Sequence, residues 1–308
     1  MSVSKVSIII PTHNRPNLLK RAIQSVIDAK TTLEKEIIVI DNGDSEEVFR
    51  VISFFHSNGH NLFYHKIKQK SPSIARNIGI EKSTGDFLVF LDDDDALSPQ
   101  FFQAIENIEI SPSAHTIILV GFCFFYRLTR NFIIRKHKPS RRKPMPWERP
   151  IAVGSIFTKN VFSQQHIRFD ESLSHLEDLD LSIQCDIKKI KIIPIDRPLY
   201  YCYVDMPWRK TSLTRSDFKK LLDDTKYFYR KHYQYYVTQG PRALAFLNYL
   251  MGMAYGKLNQ YKKARIYFSK AVRLNPEIRY VGSYLLTYLG PRGFHLGRYL
   301  YFLLNALK

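Results

Sequence analysis

Four consecutive aspartates, Asp92, Asp93, Asp94 and Asp95, have the clearest potential for chemistry in this 308-residue chain. They directly follow the apolar run 87–91, whose β-prone composition predicts a buried strand. Acidic side chains at the carboxyl end of such a strand lie where open α/β sheets bind their ligands. Because adjacent carboxylates repel one another, we expect a positive partner, and divalent cations prefer carboxylate and phosphate oxygens. The run therefore predicts a metal site, with a solvated acidic loop as the alternative.

Other polar motifs lie where neighbouring predicted strands end or where a helix leads into the fourth strand. The loop after the first strand contributes Pro11, Thr12, His13 and Arg15. The turn after the second strand begins at Asp41, and Arg76 lies in the helix before the acidic run. Arginine binds phosphate, and a carboxylate can hold a base or a ribose. Since carboxyl-end loops of neighbouring strands converge, we expect these residues to share one phosphorylated ligand.

The elements that must position these residues alternate between strand and helix. Apolar runs predict strands at 6–10, 36–40, 62–65 and 87–91, and helical periodicity predicts helices at 17–29, 46–56 and 72–81. This order is typical of a parallel α/β sheet with right-handed crossovers. Farther on, the pattern predicts a strand at 116–126 with 131–134 as its hairpin partner, a helix at 176–187, and short strands at 192–193 and 199–204.

From residue 216 onward the pattern is entirely helical. Small and aromatic residues between 250 and 276 resemble one tetratricopeptide unit, although a chance helical hairpin is the alternative. We therefore expect an α/β domain over residues 1–215 and a helical region over 216–308, with the hairpin at about 243–276.

The motifs at residues 8–15, 38–43, 75–79 and 90–95 together resemble the family-2 glycosyltransferases, which have the GT-A nucleotide-sugar fold. The resemblance covers residues 5–215 and implies a Rossmann-like, mostly parallel sheet. It implies that Asp41 contacts the base, that Pro11, Thr12, His13 and Arg15 hold the nucleoside, and that Arg76 lies near base or phosphate. It also implies that Asp92 and Asp93 face the nucleotide sugar, and that Asp94, with Asp92, binds Mn²⁺ or Mg²⁺. The sequence leaves open which of the four carboxylates are ligands.

The same resemblance extends to Glu177 and Asp178, at the start of a predicted helix. It implies that Asp178 is the general base that deprotonates the acceptor hydroxyl, with Glu177 as the alternative base. A single aspartate base implies direct displacement with inversion at the anomeric carbon. Capping of the helix is the structural alternative, because carboxylates favour helix starts.

The segment 201–214 departs from the family pattern, because it lacks the histidine expected near the metal and the diphosphate. Asp205 is one replacement, and Arg209 with Lys210 is another, since cations neutralise a leaving diphosphate. Trp208 is expected either to stack on a sugar or to pack in the fold.

The charge balance of 46 Lys and Arg against 28 Asp and Glu gives a net charge of +18 and predicts an anionic partner. Basic and aromatic residues alternate from residue 257 to the C-terminus, which is typical of peripheral binding to an anionic membrane. A helical subdomain with a solvated basic face is the alternative. No helix-turn-helix, zinc-ligand or RNA-recognition motif is evident, so nucleic acid is not the expected partner.

The N-terminal residues lack the shape of a signal peptide, and no apolar run is long enough to span a bilayer. The three cysteines lack metal-ligand spacing and do not suggest a disulfide framework. We therefore expect a cytoplasmic, peripherally membrane-bound inverting transferase. Its expected donor is a nucleotide-diphosphate sugar, by family analogy a UDP-sugar, and its expected acceptor is a glycan or a lipid-linked molecule. The alternative is a noncatalytic nucleotide-sugar-binding or scaffold protein that recruits partners through its helical tail.

Overall fold

The computed structural model describes residues 5–106, 108, 110–111, 113–127, 133–138, 145, 151–205, 215–294 and 297. The chain divides into two compact units. The first comprises Met1–Glu171 with Glu177–Val204, and the second comprises Ser172–Leu176 with Asp205–Lys308. The second unit thus begins at Asp205 and also includes the segment Ser172–Leu176, while the domain boundary at residue 215 stays a prediction.

The strands and helices of the first unit alternate as the sequence predicts. Its strands are β1 (Lys5–Thr12), β2 (Glu34–Asp41), β3 (Leu62–Lys66), β4 (Phe87–Phe90), β5 (Ala96–Leu97), β6 (Thr116–Arg127), β7 (Ile133–Lys138), β8 (Ser155–Thr158) and β9 (Lys191–Asp205). Its helices are α1 (Pro16–Asp28), α2 (Glu46–Ser57), α3 (Pro72–Lys82), α4 (Gln103–Glu106), α5 (Asn160–Ser163) and α6 (Glu177–Ile187).

These strands form one mixed sheet in the order β3-β2-β1-β4-β8-β6-β9-β5, with β7 paired to β6. The pairs β1–β2, β1–β4 and β2–β3 are parallel, which confirms the predicted parallel βα units. The pairs β4–β8, β6–β8, β6–β7 and β5–β9 are antiparallel, and β6–β7 is the predicted hairpin. The two short strands predicted near 192 and 199 are a single strand, β9. Pro194 and Pro198 do not end it, because proline is tolerated where no ladder N–H is needed.

Both faces of the central strands are buried, as expected of a sheet flanked by helices. Ile8 and Val89 belong to one hydrophobic core, while their chain neighbours Ile9 and Phe90 belong to the core on the other face. This alternation fixes the register of β1 and β4. The carboxyl ends of these two strands, which carry the predicted site motifs, are therefore held side by side.

Glu36 is a buried carboxylate in β2 that ties together the strand ends opposite the predicted site. It accepts hydrogen bonds from Ser7 Oγ (2.5 Å), the Thr84 N–H (2.7 Å) and Thr84 Oγ1 (2.6 Å), and it pairs with Lys5 at 2.8 Å. Burial alone would raise the pKa of Glu36, but these partners lower it to about 2.

In the described part of the chain, the second unit contains α7 (Arg215–Thr238), α8 (Pro241–Lys257), α9 (Tyr261–Leu274), α10 (Ile278–Leu286) and the 3₁₀ turn Thr287–Leu289. Helices α8 and α9 pack closely because Gly252 has no side chain: a Cβ there would lie 2.5 Å from the Phe268 ring. In the described part of the chain, every helix is too short or too polar to cross a bilayer.

Within the second unit, the buried Asp224 of α7 holds the short segment Ser172–Leu176. Its Oδ2 accepts the Ser174 N–H at 3.2 Å and lies 2.9 Å from His175 Nδ1, and its Oδ1 pairs with Lys220 at 2.7 Å. This segment immediately precedes Glu177 in the chain, so Asp224 fixes the backbone that leads into α6.

Candidate active site

A cavity of about 440 Å³ opens at the carboxyl ends of β1, β2 and β4. All four predicted motifs contribute to its lining, which comprises Pro11, Thr12, His13, Arg15, Asn42, Lys70, Pro72, Arg76, Asp92, Asp93 and Asp94. Residues up to 83 positions apart in the sequence therefore meet here, as the convergence of strand ends predicts.

The loop after β1 and the turn after β2 are joined by Asn14, whose φ of 53° lies in the left-handed region. Asn14 Oδ1 accepts the N–H groups of Asp44 (2.6 Å) and Ser45 (2.8 Å). A Cβ at Gly43 would lie 2.3 Å from Asn14 Oδ1, so only glycine permits this approach. His13 Nδ1 lies 3.0 Å from Asn42 Oδ1, which adds a second link between the two loops.

Asp41 is fully buried at the end of β2. Its Oδ1 accepts the Gly43 N–H at 2.8 Å, and its Oδ2 accepts the Tyr64 hydroxyl at 2.8 Å. Burial, and then the Asp41 carboxylate, raise the pKa of Tyr64 well above its usual range. In this structure Asp41 shapes the turn, and the adjacent Asn42 lines the cavity.

Asp93 links the acidic run to the loop after β1. Its Oδ2 accepts the Thr12 hydroxyl at 2.8 Å, and its Oδ1 pairs with Arg15 Nη1 at 3.0 Å. Arg15 also pairs with Asp94 at 3.0 Å, and this second carboxylate is half exposed. Burial raises the pKa of Asp93 to about 6, although Arg15 and Thr12 oppose this rise. Both oxygens of Asp93 thus have protein partners, so this residue positions the cationic Arg15 at the cavity.

Asp92, Asp94 and Asp95 form a cluster in which one carboxylate oxygen from each residue lies within 4.8 Å of the other two. Burial and the neighbouring carboxylates raise the pKa of Asp94, and they raise that of Asp95 to about 7. Such crowding of buried carboxylates is relieved by a cation, and an all-oxygen set suits Mg²⁺ or Mn²⁺. The cluster therefore fits a divalent metal, and it contains both predicted ligands, Asp92 and Asp94, together with Asp95.

Arg76 is 5% exposed and lies between the acidic run and the start of α6. Its Nη2 donates to Asp92 at 2.8 Å, and its Nη1 donates to Glu177 at 3.0 Å and lies 3.8 Å from Asp178. Arg76 also lines the cavity. It is thus a single cation shared among three carboxylates that come from two separate motifs.

The Asp178 carboxylate lies at the first turn of α6. Its Oδ1 is buried and has no hydrogen-bond partner among the described residues. Burial raises the pKa of Asp178, Glu177 and Asp92 raise it further, and Arg76 opposes the rise. A raised pKa brings a carboxylate closer to the basicity that proton transfer near neutral pH requires.

The chain leading to α6 is fixed by Asn77, one residue after Arg76. Its side-chain amide donates to the Phe169 carbonyl at 2.9 Å and accepts the Phe169 N–H at 3.0 Å. The Phe169 ring in turn lies under the Arg76 guanidinium, whose central carbon is 5.3 Å from the ring centroid. The motif 75–79 therefore supplies the shared cation, Arg76, and also Asn77, which holds the backbone at Phe169.

Three predicted site residues lie outside the described residues: Trp208, Arg209 and the side chain of Asp205. The sequence left open whether Asp95 is a ligand, and it did not indicate Asn42 or Lys70 as site residues; the structure adds Asp95 to the cluster and the other two to the cavity. The four-aspartate run was the signal for Asp95, and the turn after β2 was the signal for Asn42.

Curated proteins are similar to part of this chain. An uncharacterized glycosyltransferase from Rickettsia bellii is 41% identical over 92 residues, which cover 30% of this chain and 13% of that protein. The matched region is therefore a small part of that relative's length.

Solved structures match over a larger share of the chain. S. aureus TarS 1–349 in complex with UDP-GlcNAc has a TM-score of 0.55 at 13% identity, covering 88% of this chain and 89% of that one. A mannosyltransferase from Pyrobaculum calidifontis, in complex with GDP-Man and Mn²⁺, has a TM-score of 0.54 at 13% identity. It covers 96% of this chain and 85% of that one. These similarities confirm the GT-A fold.

Two family models match separate parts of the chain. The tetratricopeptide repeat model matches residues 245–278, which confirms the predicted hairpin. The glycosyl transferase family 2 model matches residues 7–165, about half of the chain, and this range includes all four motifs that contribute to the cavity. On this match, the chain belongs to glycosyl transferase family 2.

Proposed function

We propose that this protein transfers a sugar from a nucleotide-diphosphate sugar to a hydroxyl group of a glycan or lipid-linked acceptor. The observation that carries the proposal is the cavity lined by Arg15 and Arg76 together with Asp92 and Asp94, two of the three carboxylates of the cluster. Bound UDP-GlcNAc and GDP-Man in the two similar structures support a nucleotide-sugar donor. The family membership supports glycosyl transfer as the reaction.

The donor half of the site is proposed to hold the nucleoside between the two loops that Asn14 joins. Pro11, Thr12, His13 and Asn42 line this side of the cavity. We assign Asp41 to the base, through the turn that it holds or through its own carboxylate. Arg15 and Lys70 supply positive charge for the diphosphate. UDP is the proposed nucleotide.

Asp92, Asp94 and Asp95 would hold a divalent Mn²⁺ or Mg²⁺ ion. When bound, such an ion neutralises the charge of the diphosphate leaving group. Arg15 pairs with Asp94 at 3.0 Å, so its guanidinium is already beside the place where that negative charge would develop.

The acceptor half is proposed to use Asp178 as general base, with inversion at the anomeric carbon. Two features of Asp178 support this role: its Oδ1 accepts no hydrogen bond among the described residues, although it lies 3.8 Å from Arg76 Nη1, and its pKa is raised. Glu177 is the alternative base, but its carboxylate already accepts a hydrogen bond from Arg76. A cytoplasmic location with peripheral attachment to an anionic membrane would bring the site to a lipid-linked acceptor.

The proposal is tested first by thermal denaturation with a panel of nucleotide sugars in the presence of Mn²⁺. A donor at 100 times its dissociation constant stabilises the folded protein by about 2.7 kcal/mol. We expect one nucleotide class to raise the melting temperature in wild type and much less in Arg15→Met. Binding without release of nucleoside diphosphate would instead favour a noncatalytic nucleotide-sugar-binding protein. No stabilisation by any donor would contradict the proposal.

A further inference from the structure

Three large apolar side chains near the end of the second unit face outward. Leu285, Tyr288 and Leu289 are 58%, 59% and 66% exposed. Ser283 and Thr287 of the same segment are buried, so the segment packs through its opposite side. Single exposed apolar residues are normal on a protein surface, but three within five positions form a patch that indicates an interaction.

A cationic cavity of about 510 Å³ adjoins this patch at the start of α9. Lys262, Lys263 and Arg265 line it together with Tyr288. The Arg265 guanidinium lies 4.5 Å from the centroid of the Tyr288 ring, which joins the cations directly to the apolar patch. Among the described residues that line this cavity, none is acidic.

Two further features strengthen the positive potential here. The N-cap residue of α9, Gln260, makes no side-chain hydrogen bond to the helix, so the positive end of the helix dipole adds to the lysines. In the sequence beyond Gly256, Glu277 is the single acidic residue, and its carboxylate pairs with Arg279 at 2.8 Å. The one acidic side chain in this part of the sequence is thus already paired with Arg279, which is not one of the cations that line the cavity.

We propose that Lys262, Lys263, Arg265, Leu285, Tyr288 and Leu289 form a docking face for the surface of an anionic lipid bilayer. Interfacial binding combines apolar side chains inserted at the acyl boundary with cations at the lipid phosphates. A nucleic acid or an acidic protein would use the cations but would gain nothing from exposed Leu285 and Leu289. The apolar and cationic groups occur together, and this favours lipid as the partner.

This proposal gives the proposed membrane attachment a defined face, and it does not depend on transferase activity. The face includes the cations of α9, so deleting the C-terminal residues alone would not remove it. Each lysine near an anionic surface contributes about 1 kcal/mol. Reversing two of them therefore weakens binding by at least about 30-fold, since 1.4 kcal/mol corresponds to a factor of ten.

The test is sedimentation of the full chain with vesicles of phosphatidylglycerol and phosphatidylcholine, or of phosphatidylcholine alone. The face variant combines Lys262→Glu, Lys263→Glu and Leu289→Ser. The first unit offers a matched control, because Ile187, Lys188 and Lys189 are also one exposed apolar residue and two exposed lysines. The control variant, Ile187→Ser with Lys188→Glu and Lys189→Glu, changes charge and apolar surface equally.

We expect wild type to bind the anionic vesicles, the face variant to lose about 30-fold or more in affinity, and the control to lose far less. The single variant Leu289→Ser, at an exposed position that leaves the fold intact, should also weaken binding. Equal losses in the two triple variants would overturn the proposal, because net charge alone would then explain binding. Unchanged vesicle binding by Leu289→Ser, with RNA competing fully, would assign the cations to a soluble polyanion instead. Donor hydrolysis should be the same in all variants, so failure of the transferase proposal would be seen separately.

Discussion

Replacing Arg76 by methionine removes the one cation that three carboxylates of the site share. The guanidinium is almost fully buried and lies 2.8 Å from Asp92, 3.0 Å from Glu177 and 3.8 Å from Asp178. Methionine approximates the length of the side chain but carries no charge. The three carboxylates would then repel one another, because they would lose the cation that they share among the described residues.

The expected cost follows from this burial. Breaking a buried ion pair by removing one partner costs about 3–5 kcal/mol, because the remaining charge is left uncompensated. A unit of this size loses about 2–4 °C of melting temperature per kcal/mol. Arg76→Met should therefore melt about 6–20 °C below wild type. Mn²⁺ should stabilise this variant more than wild type, because Asp92 loses its competing partner.

Scanning calorimetry in the presence and absence of Mn²⁺ measures both effects. Arg50→Met is the matched control, since Arg50 is exposed on α2 and its loss should change stability by no more than about 0.5 kcal/mol. A melting temperature for Arg76→Met within 2 °C of the control, or equal stabilisation by Mn²⁺, would refute the reasoning about a shared buried cation.

Three further predictions concern helix packing, acid stability and the pH dependence of turnover. Gly252→Ala should destabilise the helical unit by about 1–3 kcal/mol, because the added Cβ would collide with the Phe268 ring. Gly282→Ala is the control: its Cβ would meet open space, so it should be neutral or stabilising. Urea unfolding compares the two variants. The pKa of Glu36 is lowered to about 2, so its contribution of about 3 kcal/mol is full above pH 4.5 and is lost as the pH falls toward 2. Glu36→Gln should therefore unfold more easily at neutral pH and should show a flatter loss of stability in acid. Because burial and Glu177 raise the pKa of Asp178, turnover should rise with pH above the usual aspartate range, and Glu177→Gln should shift this rise to lower pH; an unchanged profile would count against Asp178 as the base.

The sequence was sufficient to predict the alternating βα units and the strand ends that converge on one cavity. Both depend on local patterns, since apolar runs and turn residues determine where strands begin and end. Asp92, Asp93 and Asp94, the predicted residues of the first loop, and Arg76 all line this cavity. The structure extends this part of the prediction by adding Asn42 and Lys70.

Contacts between distant residues could not be predicted from the sequence. Arg76 and Glu177 are 101 positions apart, and nothing local to either residue indicates their ion pair. Similarly, Asp93 is engaged by Thr12 and Arg15 across the β1–β4 boundary, which leaves the other three aspartates for a metal. The sequence shows four equivalent carboxylates, whereas the fold gives them different surroundings: Asp92 pairs with Arg76, and Asp93 and Asp94 share Arg15.

The most direct test of the central claim is release of nucleoside diphosphate from a nucleotide sugar, measured with Mn²⁺ for wild type, Asp178→Asn and the surface control Asp223→Asn. Loss of a general base reduces turnover by about 10²–10⁴-fold. The account predicts a loss of this size in Asp178→Asn, with donor binding unchanged in a thermal-shift titration and full activity in the control. Wild-type turnover by Asp178→Asn would contradict the account.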